Sequence, residues 1–166
     1  MQLRRAKLTE IQILMEIIRQ ASEKLEQQGI FQWDEVYPNE EIIREDIRRE
    51  ELYVLSEAEE IFALAVLNEE QDESYSEANW LGEQENIAVI HRLCVNSAYQ
   101  HRGIGKKVLE AAEHLLKEKG YKGIRLDAFT NNPYALRLYE NAGYRRVHEV
   151  TFRKGQFYLY EKRLVE

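Results

Sequence analysis

The stretch Leu93-Cys94-Val95-Asn96-Ser97-Ala98-Tyr99-Gln100-His101-Arg102-Gly103-Ile104-Gly105-Lys106-Lys107 governs how the rest of the chain is read. Residues 87–95, IAVIHRLCV, are β-branched and largely apolar, which predicts a central strand. Ile104, Val108, Leu109, Ala111, Ala112, Leu115 and Leu116 then mark one apolar helical stripe that runs to Lys119 and stops at Gly120. A strand passing through a glycine-bearing turn into a helix N-terminus makes an anion cradle, because backbone N–H groups converge there and the helix dipole adds to them. Gly103 and Gly105 allow a ligand to approach the backbone closely. Arg102, Lys106 and Lys107 add positive charge around the same point. Two better-known phosphate loops do not fit. A Walker A loop needs Gly at 100 and Ser or Thr at 107, where this chain has Gln100 and Lys107. A dinucleotide fingerprint through Gly103 and Gly105 needs a third small residue where Val108 stands.

Beyond the turn, residues 123–129 predict another strand. Asn132 and Pro133 suit a helix cap and first position, and Gly143 ends that helix. Residues 144–152 and 156–164 flank Lys154 and Gly155 as a closing hairpin. Before the turn, residues 2–8 predict a first strand, and Thr9 reads as a helix N-cap with Gln12 as its capping-box partner. Ile11, Leu14, Met15, Ile18 and Leu25 share the stripe of that helix, which Gly29 stops. An aromatic loop ends at Pro38, and Asn39 caps a short second helix. Residues 51–56 and 61–67 read as an antiparallel hairpin, followed by an acidic, irregular stretch at 69–86. The order β-α-α-β-β-β-α-β-α-β-β predicts an α/β (α+β) fold, a mixed twisted sheet of about seven strands with helices on both faces. No repeat or linker interrupts it, so residues 1–166 are expected to form a single domain.

Apolar residues at 44% and charged residues at 32% fit a globular chain and exclude disorder. The net charge of −7 argues against nucleic acid as a partner, which requires a basic surface. The charge is unevenly divided: residues 1–86 carry 8 basic and 22 acidic side chains, residues 87–166 carry 15 and 8. A polyanion is drawn to the second half and a cation to the first. The single cysteine excludes an intrachain disulfide and points to a reducing, cytoplasmic setting. No apolar run has the length of a membrane span or a signal core, so no membrane partner is expected. The four histidines, at 91, 101, 114 and 148, lack metal-ligand spacing, and no metal site is expected.

The spacing of Gln100, Gly103 and Gly105 resembles the Q-x-x-G-x-G acetyl-CoA signature of the GNAT superfamily of N-acetyltransferases. Asn132, Ala135, Leu138, Tyr139, Gly143 and Tyr144 resemble that family's N-x-x-A-x-x-L-Y-x-x-x-G-F/Y segment, one strand further on. Leu93 and Val95 match its L-x-V before the loop. The order of elements is similar across nearly the whole chain, the first third in pattern more than in residues. QWDEVYP at 32–38, Trp80 and His91-Arg92 resemble small stand-alone bacterial members. The resemblance implies the GNAT acyl-CoA N-acyltransferase fold, with acetyl-CoA as co-substrate between two diverging strands, 87–95 and 123–129. It implies that a small or peptide primary amine attacks the thioester directly in a ternary complex. The pyrophosphate would meet the backbone of His101, Arg102, Gly103, Ile104, Gly105 and Lys106, just after Gln100. Pantetheine would run beside Leu93 and Val95, with the Val95 N–H donating to the thioester oxygen, and Asn132 would hold the pantetheine arm. Tyr139 would be the general acid: a phenol with pKa near ~10 stays protonated at neutral pH, whereas a thiol leaving group has pKa near ~8.5.

The residues leave other roles open. His91 is a candidate base, with Asp34 and Glu35 as alternatives; Val89 stands where the family places a carboxylate. Cys94 alternates with Leu93 and Val95 and reads as buried rather than nucleophilic. Phe31, Trp33 and Tyr37 read as the rim of an acceptor pocket, and Phe62 and Ala63 as the place that would set acyl-chain depth. The aromatics on both strand faces of FYLYEKRLVE, together with the habit of small family members, predict a homodimer. The alternative from another class is a non-catalytic CoA-binding sensor of the same fold.

Overall fold

A computed structural model of the chain describes residues 1–82 and 84–164. It contains seven strands and four α-helices among those residues: β1 (Gln2–Arg5), α1 (Ile11–Gln27), α2 (Glu40–Arg48), β2 (Leu52–Glu57), β3 (Glu60–Asn68), β4 (Ile87–Val95), α3 (Ile104–Glu118), β5 (Gly123–Phe129), α4 (Pro133–Asn141), β6 (Arg145–Phe152) and β7 (Gly155–Arg163). The strand order is β1-β2-β3-β4-β5-β7-β6, which is the mixed sheet expected from the sequence. The chain divides into two compact units, Met1–Leu67 with Arg92–Ala111, and Asn68–His91 with Ala112–Glu166.

In the first unit, β1 and β3 both pair antiparallel with β2. The period-2 alternation of the hairpin separates its side chains onto two faces. Leu52, Val54, Leu64 and Val66 face a core with Leu14, Ile18, Ile43 and Ile47 of α1 and α2. Leu55 and Ala63 instead meet Ile104 and Val108 of α3. Full burial of such aliphatic side chains contributes roughly 1.5–3 kcal/mol each. Asn39 caps α2 as expected, its Oδ1 accepting the Ile42 N–H at 3.0 Å. Thr9 does not cap α1. A 3₁₀ turn at Leu8–Glu10 comes first, and the Glu10 carboxylate accepts the Lys7 N–H at 2.8 Å while also pairing with Arg4 at 2.7 Å. Thr9 lies inside that turn, so α1 starts only after Glu10, whose side chain makes no cap bond to α1, and β1 ends at Arg5, earlier than the sequence suggested.

In the second unit, Ile87, Ala88 and Val89 pair parallel with Gly123, Ile124 and Arg125, and β7 lies antiparallel between β5 and β6. Tyr75, Val89, Val150 and Leu159 form a core that Trp80 and Phe157 flank. β7 is therefore an interior strand, and its aromatics on both faces are explained by burial on both sides. The expectation of a homodimer drawn from that strand loses its premise; Val165 and Glu166 at its end lie outside the described residues.

Candidate active site

β4 ends at Val95, and Asn96 anchors the turn that leads into α3. Its N–H donates to Phe62 O at 2.8 Å, its Nδ2 to Ile61 O at 2.9 Å, and its Oδ1 accepts the Ala98 N–H at 3.0 Å. The chain then reaches His101 (φ 65°) and Gly103 (φ 71°), two left-handed residues just before α3. Lys107 is the first residue there whose N–H reaches a carbonyl, Gly103 O at 3.1 Å. Among the described residues the N–H groups of 101–106 have no backbone acceptor, which leaves the orphan donors of a helix start pointing outward. A side chain placed on Gly103 would enter open space. Gly105, by contrast, is the second residue of α3 and has no left-handed requirement. Arg102 lies over the Tyr99 ring at 5.6 Å, and Lys106 is exposed beside Glu110. Ile104 is buried, so only its backbone faces the turn, while Leu93 and Val95 are half-buried against the same core. This arrangement suits a pyrophosphate: several aligned N–H donors, a glycine that keeps the approach clear, and cations around it.

Tyr139 lies on α4, 7% exposed, with its ring edge-on to Tyr144 at 5.9 Å and tilted against Tyr160 at 6.1 Å. Burial, reinforced by the Asp127 carboxylate and Tyr160, pushes its phenol well above the ordinary range. It therefore holds its proton at any working pH and can donate it only to a group that becomes strongly basic. Asn132 is buried and caps α4, its Oδ1 accepting the Ala135 N–H at 3.2 Å. His91 is half-buried, its Nε2 sitting 2.8 Å from Asn68 Oδ1. Facing an amide oxygen, that nitrogen is the donor of the pair.

Asp34 is taken up by its own loop, where Oδ1 accepts the N–H groups of Val36 and Tyr37 at 3.0 and 3.2 Å. Glu35 is exposed. Trp33 is a core residue, buried against α1 and α2, whereas Phe31 is exposed. Phe62 and Ala63 are buried. Cys94 is buried and its thiol is pushed up to about 12 by desolvation, which makes it inert as a nucleophile. Among the described residues no three His, Cys, Asp or Glu side chains group as metal ligands, and no helix is long and apolar enough to cross a membrane.

A family model described as "Acetyltransferase (GNAT) family" matches residues 14–144. The chain belongs to the GNAT acetyltransferase family. A curated relative, the spermine/spermidine N(1)-acetyltransferase of Bacillus subtilis (strain 168), is 38% identical over 64 residues, which is 38% of this chain and 42% of that protein. The match thus spans less than half the length of that relative. Among solved structures, a GNAT family acetyltransferase from Streptococcus agalactiae 2603 superposes with a TM-score of 0.86 at 23% identity, covering 98% of this chain and 94% of that one. The PaiA N-acetyltransferase from Thermoplasma acidophilum, solved in complex with coenzyme A, superposes with a TM-score of 0.73 at 21% identity, covering 98% of each chain.

This GNAT chain also carries buried polar pairings that its sequence did not disclose. Arg92 interrupts β4 with φ 53° and sends its guanidinium to both oxygens of Asp46, at 2.9 and 2.8 Å, and to the Tyr37 hydroxyl at 2.8 Å. Asp127 accepts the hydroxyl of buried Tyr75 at 2.7 Å. Arg125, on the same face of β5 as Asp127, is 3% exposed. A usable signal existed: each of these groups is a charge inside an otherwise apolar strand, IAVIHRLCV or GIRLDAF.

Proposed function

We propose that the chain transfers the acetyl group of acetyl-CoA to a primary amine by direct attack in a ternary complex. The observation that carries this reading is the row of unpaired N–H donors at 101–106 over a left-handed, open-sided Gly103. Those donors would take the pyrophosphate of acetyl-CoA, with pantetheine alongside Leu93 and Val95 and its arm held by Asn132. The amine nitrogen attacks the thioester carbon, and the Val95 N–H would stabilise the oxygen as it gains charge. The carbon–sulfur bond breaks, and the departing thiolate takes a hydrogen bond from Tyr139. The proton lost by the amine passes to a base, for which His91 is the candidate. Replacing Gly103 by valine forces a β-branched residue into a left-handed φ and fills the open side. Affinity for coenzyme A, measured by calorimetry on the folded variant, is expected to fall at least tenfold. Unchanged affinity removes the cradle from the mechanism. A sensor with the same cradle would bind acetyl-CoA but release no thiol with any amine, so thiol release across an amine panel separates the two classes.

The acceptor we infer is cationic. Residues 1–86 carry the excess of acidic side chains, and α1 and the loop after it bound a cavity of about 470 Å³ edged by Glu16, Glu23, Glu26, Asp34, Glu35 and Glu40, with Arg19 on the same edge pairing with Glu16 and Glu23, so that the acids still outnumber the base. Trp33 and Met15 give the same cavity an apolar wall, a combination suited to a chain of methylenes between ammonium groups. The curated relative is named for spermine and spermidine, which fits that chemistry. Spermidine is expected to show a kcat/KM at least tenfold above that of a carboxylated amine at low ionic strength. The gap should shrink in high salt, where the Debye length falls below about 8 Å. A preference for the carboxylated amine at low salt overturns the cationic acceptor and leaves the acidic residues as plain surface.

A further inference from the structure

A cavity of about 1000 Å³ opens in the second unit beside residues 71–80 and Gln84, with Tyr75, Ala78 and Trp80 on its apolar side. Arg125 of β5 reaches it from beneath and is almost wholly buried. Its guanidinium is fixed on three sides: Nη1 donates to Gln71 Oε1 at 2.8 Å, Nη2 to Gln84 Oε1 at 2.8 Å, and the plane stacks on the Trp80 ring at 4.0 Å. All three partners are neutral. A guanidinium has five N–H donors, and these contacts use two of them. Nε is fully buried and has no hydrogen-bond partner among the described residues. The carboxylate opposite Arg125 in the β5–β7 ladder is Glu161, and one of its oxygens is committed to the Leu81 N–H at 2.5 Å. No ion pair within 4 Å joins Glu161 or any other described carboxylate to Arg125.

A buried cation held by neutral oxygens is costly, because desolvation is not repaid by an opposite charge in contact. Burial pulls the Arg125 guanidinium below its ordinary range, outweighing the opposite pull of the Glu161 carboxylate across the ladder, which is near but not in contact. Two amide oxygens orient such a group without neutralising it, which is the arrangement a site uses when the counter-charge arrives with a ligand. The exposed mouth of the same cavity carries Asp72 and Glu73, so a simple anion would be repelled on entry. A molecule bearing an ammonium as well as a carboxylate satisfies both ends.

We propose that this cavity binds the carboxylate of a small zwitterion, a free amino acid or a short peptide, on Arg125, with the ligand's ammonium toward Asp72 and Glu73. This is a ligand in addition to the acetyl donor and does not depend on acetyl transfer, so it is tested without acetyl-CoA. Calorimetric titration of the full chain with alanylalanine and with its C-terminal amide compares ligands that differ only in the carboxylate. The free acid is expected to bind at least tenfold more tightly, and Arg125→Gln should abolish that difference. Equal affinity for acid and amide, or no heat with the acid at millimolar concentration, overturns the proposal on the unaltered protein, whatever the variant's stability. Retention of the preference by a folded Arg125→Gln variant overturns it equally.

Discussion

Tyr139→Phe is expected to lower kcat by about 100-fold or more while coenzyme A affinity stays within twofold, since general acids of this kind contribute about 10²–10⁴ in rate. The substitution keeps the ring and its packing against Tyr144 and Tyr160 and removes only the hydroxyl. Burial and the nearby Asp127 carboxylate keep the phenol protonated, so it acts as a donor and never as a competing base. The activity profile should accordingly show no alkaline limb assignable to Tyr139 in the parent. The comparison of turnover numbers at saturating amine decides the point. A variant as fast as the parent would make Tyr139 a packing residue and would return the sensor reading to consideration.

The second large effect is on stability. Arg92→Met should destabilise the protein by about 3–5 kcal/mol, because it leaves the Asp46 carboxylate buried without its bidentate partner. For a chain of this size that corresponds to roughly 10 °C in Tm. Burial already holds the Asp46 carboxyl above its ordinary range, with the Arg92 guanidinium pulling the other way. Removing Arg92 lifts it further above the unfolded value of about 3.9. A folded state that binds the proton more tightly than the unfolded state gains stability as pH falls through the folded pKa. The loss should therefore be largest at neutral pH and shrink on acidification toward that unfolded value. Combining Arg92→Met with Asp46→Leu removes both charges and should recover more than half of the loss. Urea unfolding at pH 7.5 and pH 5 checks all three effects. A single variant within 0.5 kcal/mol of the parent at pH 7.5 would mean that Asp46 is effectively solvated.

How much the sequence made legible depends on the range of the interactions involved. Asn39 and Asn132 were readable as caps because a cap and its N–H are three residues apart. The turn at 100–106 was readable because the strand, the glycine and the helix succeed one another directly. Thr9 misled because it falls within a 3₁₀ turn that Glu10 closes on the Lys7 N–H, and Arg4 of the preceding strand holds that carboxylate. The partners of Arg92, Arg125 and Asp127 lie 41 to 55 residues away. Which of many acidic or amide side chains each would meet is fixed by the sheet register and not by any local pattern. Trp33 read as a pocket rim from its polar and aromatic neighbours, and it does line the cavity beside α1; its burial on the other side depends on the packing of α1 and α2 around it.

The outermost strands, β1 and β6, bear on how copies of the chain behave when crowded. β1 is only four residues long and ends in Arg4 and Arg5, and β6 begins with exposed Arg145 and Arg146. The shortness of β1 leaves few backbone groups for a second copy to pair with, and the arginines put charge on both margins that an added strand would have to desolvate. Both features work against lengthening of the sheet strand by strand into fibrils.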